Sequence, residues 1–358
     1  MIENRLRLFY YTKEDNKRKL MTALSEILLD DKYKDIDWYI KRDWRYGPNI
    51  GIYSYPKEGM KDLETEFYEA IKTRAMDFWK KTRSKVECPD EEVLKQLNQL
   101  ETNGAESDDS FLPIEKNKTC KIDQVEEKHI DMFSVEEEYS LYRIKRCEVA
   151  CLLLRTIRVL NGLDEADQYK MLVCIYAKLA ECYPNAGLLN GCISFKSHIT
   201  GFLANKDRRV GGIKLRFESI YDQMKPGLEE LYSNDFVIDE QKELIEDWSV
   251  FFRSFIESIK YDEKIKKTIM KNGKFSEKSV QALLNYSDFH YKWVGRKSFT
   301  DFFYSDAFYK YRLSVNFFYL LLPTMGIGPI GKHLCCYLVT RLVEESNDIR
   351  LMDMIAEA

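Results

Sequence analysis

No stretch of this sequence is apolar for long enough to cross a bilayer. The longest uninterrupted apolar part, Leu313 to Met325, falls short of the roughly 20 residues a spanning helix needs and contains Ser314 and Asn316. The opening MIENRLRLFYY has neither a long apolar core nor a small-residue cleavage site, so no secretory signal is read there and a cytoplasmic protein without a membrane partner is expected. The nine cysteines form no CxxC pair and no Cys/His quartet at zinc spacing, which leaves them as reduced, mostly buried thiols and predicts no metal site. A net charge of -4 offers no basic excess to neutralise phosphates, and nucleic acid is not expected as a partner. There is no phosphate loop, GxGxxG, HExxH or GxSxG, and the four histidines (His129, His198, His290, His333) lie far apart, which argues against the common cofactor and triad enzymes. A Cys/His nucleophile has no local signature, and no internal repeat is evident.

What is present is enough for a substantial core. The chain has 358 residues, 45% of them hydrophobic and 13% aromatic, sufficient for one large or two ordinary domains. Its most apolar segment is Tyr304 to Glu345, crowded with tyrosines and broken once by Pro323, Gly326, Gly328, Pro329 and Gly331. That punctuation predicts two buried helices joined by a tight turn. Ser305, Tyr309, Tyr311, Asn316, Tyr319, His333 and Tyr337 within it need hydrogen bonds or a cavity.

In chain order, Arg5 to Tyr11 alternates like a strand, and Thr12 with Asp15 is read as the cap of a helix running to about Asp30. Asp37 to Trp44 and Ile50 to Tyr55 alternate again around Tyr46-Gly47-Pro48-Asn49, which predicts a hairpin. Met60 to Lys85 carries apolar residues at helical spacing. The fold class expected is α+β: a small N-terminal antiparallel sheet with flanking helices over residues 1–101, a polar linker over 102–119, and a large mainly helical part over 120–358. In that last part Val135 to Leu160, Glu165 to Cys182, Lys196 to Asn205, Ile213 to Tyr232, Asp239 to Tyr261 and Ser276 to Trp293 show 3.6-residue periodicity.

The hairpin segment Trp38-Tyr39-Ile40-Lys41-Arg42-Asp43-Trp44-Arg45-Tyr46-Gly47-Pro48-Asn49-Ile50 resembles the aromatic-Arg-x-Trp-x-x-Gly-Pro-His signature of thiopeptide-type bacteriocin biosynthesis proteins. These are relatives of the C-terminal elimination domain of lantibiotic dehydratases; asparagine stands at Asn49 where the signature has histidine. Ile193-Ser194-Phe195-Lys196-Ser197-His198 and the stretch from Tyr311-Arg312-Leu313 to Glu344-Glu345 are similar to the same family. The resemblance implies one of two chemistries. One branch eliminates glutamate from glutamylated Ser or Thr; the other, the pyridine synthases, joins two dehydroalanines of one peptide in a formal [4+2] cycloaddition. Eliminating enzymes resemble one another in a late His-Met motif, whereas here His290 precedes Tyr291 and His333 precedes Leu334. The resemblance therefore favours the pyridine synthase, with the eliminating lyase and a non-catalytic peptide-presenting partner as alternatives.

That branch implies a leader-bearing dehydrated precursor peptide as partner, companion dehydratase and cyclodehydratase proteins, and no cofactor. It also implies a cavity lined by a Ser, a Tyr two turns on and a later Tyr, which match Ser305 as an orienting hydroxyl, Tyr311 as proton donor or acceptor, and Tyr337 as a second donor. The alternative for each tyrosine is a core residue with a bonded hydroxyl. Asp207 stands where the family has an acidic residue, or is a solvated loop carboxylate. Arg42 and Arg45 beside the hairpin turn are candidates to hold a peptide carboxylate or carbonyl, and Arg209, with Lys206 and Arg208, to attract an acidic leader. His290 completes the substrate-binding set, while His198, among Phe195, Ile199 and Phe202, is read as a packing histidine.

Overall fold

Alternation in Ile2–Phe9 (β1) places Leu6 and Leu8 on one face and Arg5 and Arg7 on the other, and all four are buried in the computed structural model. A strand buried on both faces belongs in the middle of a sheet. Ile36–Asp43 (β2), Asn49–Pro56 (β3) and Thr119–Glu126 (β4) complete an antiparallel sheet in the order β2-β3-β1-β4. The register sets Leu6 opposite Ile52 and Ile52 opposite Ile40, an apolar row. Glu14–Leu28 (α1) and Lys61–Lys81 (α2) meet that face: Arg42 Nη1 bonds Glu14 at 2.8 Å, and Asn4 Nδ2 bonds Glu64 at 2.8 Å.

The opposite face is charged and aromatic. Arg5 reaches Asp43 at 2.5 Å, the Tyr53 hydroxyl at 3.0 Å and Asp123 at 3.2 Å, so one guanidinium ties β1 to β2, β3 and β4. Burial alone would raise the Asp43 carboxyl; Lys41, Arg5 and the Arg45 N–H outweigh it and hold it below its ordinary value. Tyr39 stacks on Tyr53 at 4.6 Å, and Arg146 of Glu136–Gly162 (α4) lies 5.2 Å from the Tyr39 ring. The tight turn between β2 and β3 has Tyr46 and Gly47 at φ of 62° and 96°, and Asn49 Nδ2 donates to the carbonyls of Arg45 and Gly47 at 3.1 and 3.0 Å. Asparagine at this position therefore knits the turn.

The structure describes residues 2–82, 91–102, 112–126, 136–184, 186–210, 212–271, 287–294 and 301–357. The chain falls into two compact units: Met1–Gly162 with Leu320–Pro329, and Leu163–Tyr319 with Ile330–Ala358. The α+β class is as expected, and the first compact unit runs on to Gly162. Past the polar stretch the chain returns as β4 to pair with β1, and α4 stays with the sheet. A composition shift marks a loop; strand pairing over more than a hundred residues leaves no local trace. The expected cap of α1 also differs. Lys13 occupies the cap position without a side-chain bond, Thr12 Oγ1 accepts from Asn16 Nδ2 at 2.9 Å, and Asp15 pairs with Arg18. A helix not read from the sequence, Glu91–Thr102 (α3), contributes Leu94 to a small cluster with Trp44.

The second unit is built around Glu165–Glu181 (α5), capped by Asp164, which accepts from the Asp167 N–H at 2.9 Å. Residues 171–177, 179 and 180 are all buried, so from Met171 onward the helix is covered on nearly every side and must be surrounded. Gly187–Val210 (α6), Ile213–Ser233 (α7) and Lys242–Ser258 (α8) pack against it, with Trp248 of α8 fully buried. Glu263–Lys271 (α9), Asp288–Val294 (α10), Asp306–Leu321 (α11), Pro329–Ser346 (α12) and Leu351–Glu357 (α13) follow. The two helices expected from Tyr304 to Glu345 are α11 and α12, and the turn between them has Gly326 at φ 80°. Of the helix expected over Ser276 to Trp293, only α10 lies within the described residues. No helix among the described residues is long and apolar enough to cross a membrane.

One close approach sets the position of α6. A Cβ on Gly191 would stand 2.3 Å from the Ala180 carbonyl oxygen, a backbone atom that cannot swing away. Gly191→Ala is therefore expected to destabilise the protein by about 1–3 kcal/mol or more through overpacking, read as a lowered urea midpoint. An unchanged midpoint would show that the helices do not meet there.

Candidate active site in the helical unit

Ser197 and His198 are consecutive on α6 and so leave it about 100° apart, toward different neighbours. His198 Nδ1 lies 2.8 Å from the Tyr319 hydroxyl of α11, which lies 3.2 Å from Cys336 Sγ of α12. Lys332, one turn before Cys336, holds its ammonium nitrogen 4.9 Å from the Tyr319 ring centre, and its carbonyl accepts the Tyr176 hydroxyl at 3.3 Å. Ser197 Oγ meets His290 Nε2 at 2.9 Å, and Ser287 Oγ meets His290 Nδ1 at 2.7 Å. Ser287 immediately precedes α10 and also accepts the His290 backbone N–H at 3.4 Å, so the residue that starts the helix fixes the ring.

Burial controls the charge state of these groups. It lowers His198 to about 3, with Lys332 and His290 adding to the effect, and it lowers His290 to about 4. It raises the Cys336 thiol to about 12, holds the Tyr319 hydroxyl well above its ordinary value and lowers Lys332. At neutral pH the imidazoles, thiol and hydroxyl are uncharged, and the two histidines each retain one ring proton. Neutral hydroxyls and imidazoles so linked are of the chemical type that can pass protons without creating an ion in the core. Lys196 of the same helix is paired with Glu344 at 2.7 Å, and Glu344 also accepts the Leu351 N–H at 3.0 Å.

The three residues matched to the family's cavity occupy three different environments. Ser305 precedes α11, accepts the Phe308 N–H at 3.2 Å and lines a surface cleft of about 550 Å³ with Tyr261, Asp262, Glu263, Lys266, Asp301, Tyr304 and Asp306. Tyr311 is fully buried, donates to the Gly191 carbonyl at 3.0 Å and packs on Tyr183 at 4.9 Å; burial pushes its hydroxyl far up. Tyr337 packs against Phe217 and Tyr221, and burial raises it to about 12. Neither tyrosine lines the cleft beside Ser305. Spacing accounts for this. Six helical residues advance 600°, which puts Ser305 and Tyr311 about 120° apart around the axis.

Arg42 and Arg45 belong to the sheet-bearing unit. Arg42 pairs with Glu14 and lies 5.5 Å from the Trp44 ring, beside a cavity of about 20 Å³ that Tyr10, Arg18, Asn49 and Thr324 also line. Arg45 packs over Tyr46 at 5.3 Å, its N–H donates to Asp43 at 2.9 Å and its carbonyl accepts Arg7 Nη1 at 3.3 Å. Asp207 and Arg209 fall near the end of α6, where their side chains, like those of Lys206 and Arg208, lie outside the described residues. His290 is the one sequence candidate that the fold places in the uncharged cluster. The bonds of Ser197 to His290 and of His198 to Tyr319 were not foreseen, because these partners are 93 and 121 residues away, whereas Ser287 lies only three residues from His290. The local signals were the Lys-Ser-His run and the Lys332, Cys336 spacing of four. Among the described residues no group of three or more His, Cys, Asp or Glu side chains could hold a metal ion.

The architecture is thus a four-stranded antiparallel sheet with covering helices, followed by a helical unit built around one largely buried helix. No protein-family model matches the sequence, and no curated protein does. Solved structures do share the fold from end to end. The pyridine synthase TbtD, from thiomuracin biosynthesis, superposes with a TM-score of 0.65 at 18% identity, over 98% of this chain and 100% of that one. TsrL gives 0.63 at 16% identity over 99% and 98%. At these identities the likeness is one of fold.

The depressed histidines have a measurable consequence. Folded, both stay neutral to about pH 4 or below; unfolded, each takes a proton near 6.5. Across that window the unfolded state binds more protons, so stability falls as pH falls. Between pH 7 and 5 each histidine is expected to remove about 2 kcal/mol of unfolding free energy, and His198→Gln to abolish its share. Urea denaturation at the two pH values checks this. Equal pH dependence in wild type and variant would mean that His198 titrates normally.

Proposed function

We propose that this protein closes a thiopeptide macrocycle, joining two dehydroalanines of a leader-bearing precursor peptide by a formal [4+2] cycloaddition that yields a pyridine. The observation that carries this reading is the end-to-end likeness in fold to the pyridine synthase TbtD. The family resemblance of the β2-β3 hairpin and of the α6 and α11–α12 segments points the same way.

The chemistry asks mainly for positioning. Two arms of a flexible peptide lose much entropy on reaching a shared transition state, and a site that holds both contributes on the order of several kcal/mol. One amide must become an iminol to serve in the diene, and the adduct must then lose water and the leader peptide to become aromatic. Each step moves protons between neutral groups, work suited to hydroxyls and imidazoles. The substrate is also an electrophile. A thiolate would add to a dehydroalanine, and burial raises Cys120 to about 11 and Cys174 and Cys336 to about 12, with Cys151 and Cys182 raised as well. Thiols kept protonated are compatible with such a substrate.

Incubation of the purified protein with a leader-bearing peptide containing two dehydroalanines tests the reading. The expected product has lost water and the leader and absorbs as a pyridine. An unchanged peptide overturns the proposal; turnover of a glutamylated peptide instead would identify an eliminating lyase, and binding without turnover a presenting partner. Because the Tyr311 hydroxyl is spent on the Gly191 carbonyl, Tyr311→Phe is expected to cost about 1 kcal/mol of stability and to leave kcat within about threefold of wild type. A loss of kcat at unchanged stability would return Tyr311 to a catalytic role.

A further inference from the structure

The hydrogen bonds around His290 leave one hydroxyl uncommitted. Ser287 Oγ accepts the His290 backbone N–H and is still able either to donate to Nδ1 or to accept from it. In the tautomer with the proton on Nε2, the ring donates to Ser197 Oγ, and the Ser197 proton is available to a third group. In the other tautomer Ser197 donates to Nε2, and its oxygen is available as an acceptor. The two arrangements satisfy the ring equally and differ only in the direction Ser197 faces chemically. Among the described residues Ser197 Oγ has no hydrogen-bond partner besides His290, and the residue is partly accessible, whereas His290 is 5% exposed.

We propose that Ser197 is a catalytic hydroxyl that carries the amide-to-iminol proton transfer of the diene-forming arm, and that His290, fixed by Ser287, is the positioning residue that lets it donate and accept. This rests on the macrocyclase reading given above. In the step, the amide N–H bond breaks and its electron pair becomes the C=N bond, while the carbonyl π pair moves to oxygen. With that amide held cis, so that its N–H and C=O face the same hydroxyl, Ser197 Oγ takes the proton from nitrogen as its own proton passes to that oxygen. No ion is left behind and no co-reactant is needed. The neighbouring His198, Tyr319 and Cys336 carry no charge that would trap a proton on the imidazole.

The test uses the full-length protein and the leader-bearing bis-dehydroalanine peptide. Ser197→Ala is expected to lower kcat by about 10²-fold or more, with KM within about threefold, and Ser197→Thr to restore most of kcat. His290→Gln, which bonds a serine but cannot exchange tautomers, is expected to lower kcat and to diminish the solvent deuterium isotope effect on it. Thermal midpoints within a few degrees of wild type separate these losses from misfolding, and if Ser197→Ala does not fold, Ser197→Thr and His290→Gln carry the same comparison. Wild-type turnover with full kcat in Ser197→Ala, or in His290→Gln with an unchanged isotope effect, overturns the proton-transfer role and leaves the macrocyclase standing. A wild-type protein that leaves the peptide unchanged overturns both.

Discussion

Gly191 lets α6 lie directly against α5, and much of the helical unit depends on that contact. With a hydrogen in place of a side chain, the backbone of α6 comes up to the Ala180 carbonyl, and the Gly191 carbonyl in turn takes the Tyr311 hydroxyl of α11. Six and seven residues further along α6, Ser197 and His198 are thereby delivered to His290 and to Tyr319. The polar cluster follows from packing: α6, α10, α11 and α12 converge because their apolar faces must be covered, and the few polar tips they carry are left to satisfy one another.

The two units solve the burial of polar groups differently. In the sheet, charge is kept and compensated, with Arg5 and Arg7 shared between Asp43 and Asp123 across three strands. In the helical cluster the imidazoles, thiol and tyrosine hydroxyl are instead neutral, since burial lowers the histidines and raises Cys336 and Tyr319, with Lys332 beside them and the Lys196–Glu344 pair bridging α6 and α12. Paired charges lock strands in register but cannot release a proton cheaply. Neutral hydroxyl and imidazole groups can, which is why the proton-handling proposal falls on the second unit and not on the arginine-rich hairpin.

The hairpin that carries the resemblance is knit by contacts within its own unit. Arg42 is engaged by Glu14, and the amide of Asn49 closes the turn through the carbonyls of Arg45 and Gly47. A motif of this kind is legible because the residues that make a tight turn are adjacent in the chain. The trio Ser305, Tyr311 and Tyr337 was legible only as a spacing, and spacing does not say which side of a helix is lined by open space. Tyr311 turned into the core, and Ser305 became the residue that begins its helix.

The class of fold, the hairpin and the two long apolar helices were legible in the sequence alone, because periodicity and turn chemistry are local properties. Tertiary structure decided that β4 rejoins the sheet after a polar stretch, and that a serine and a histidine 93 residues apart become hydrogen-bond partners. It also decided which tyrosine hydroxyls are spent on backbone carbonyls. Those outcomes depend on which surfaces meet, and a contact between distant segments is fixed by the shape and burial of both partners at once, which neither segment encodes alone.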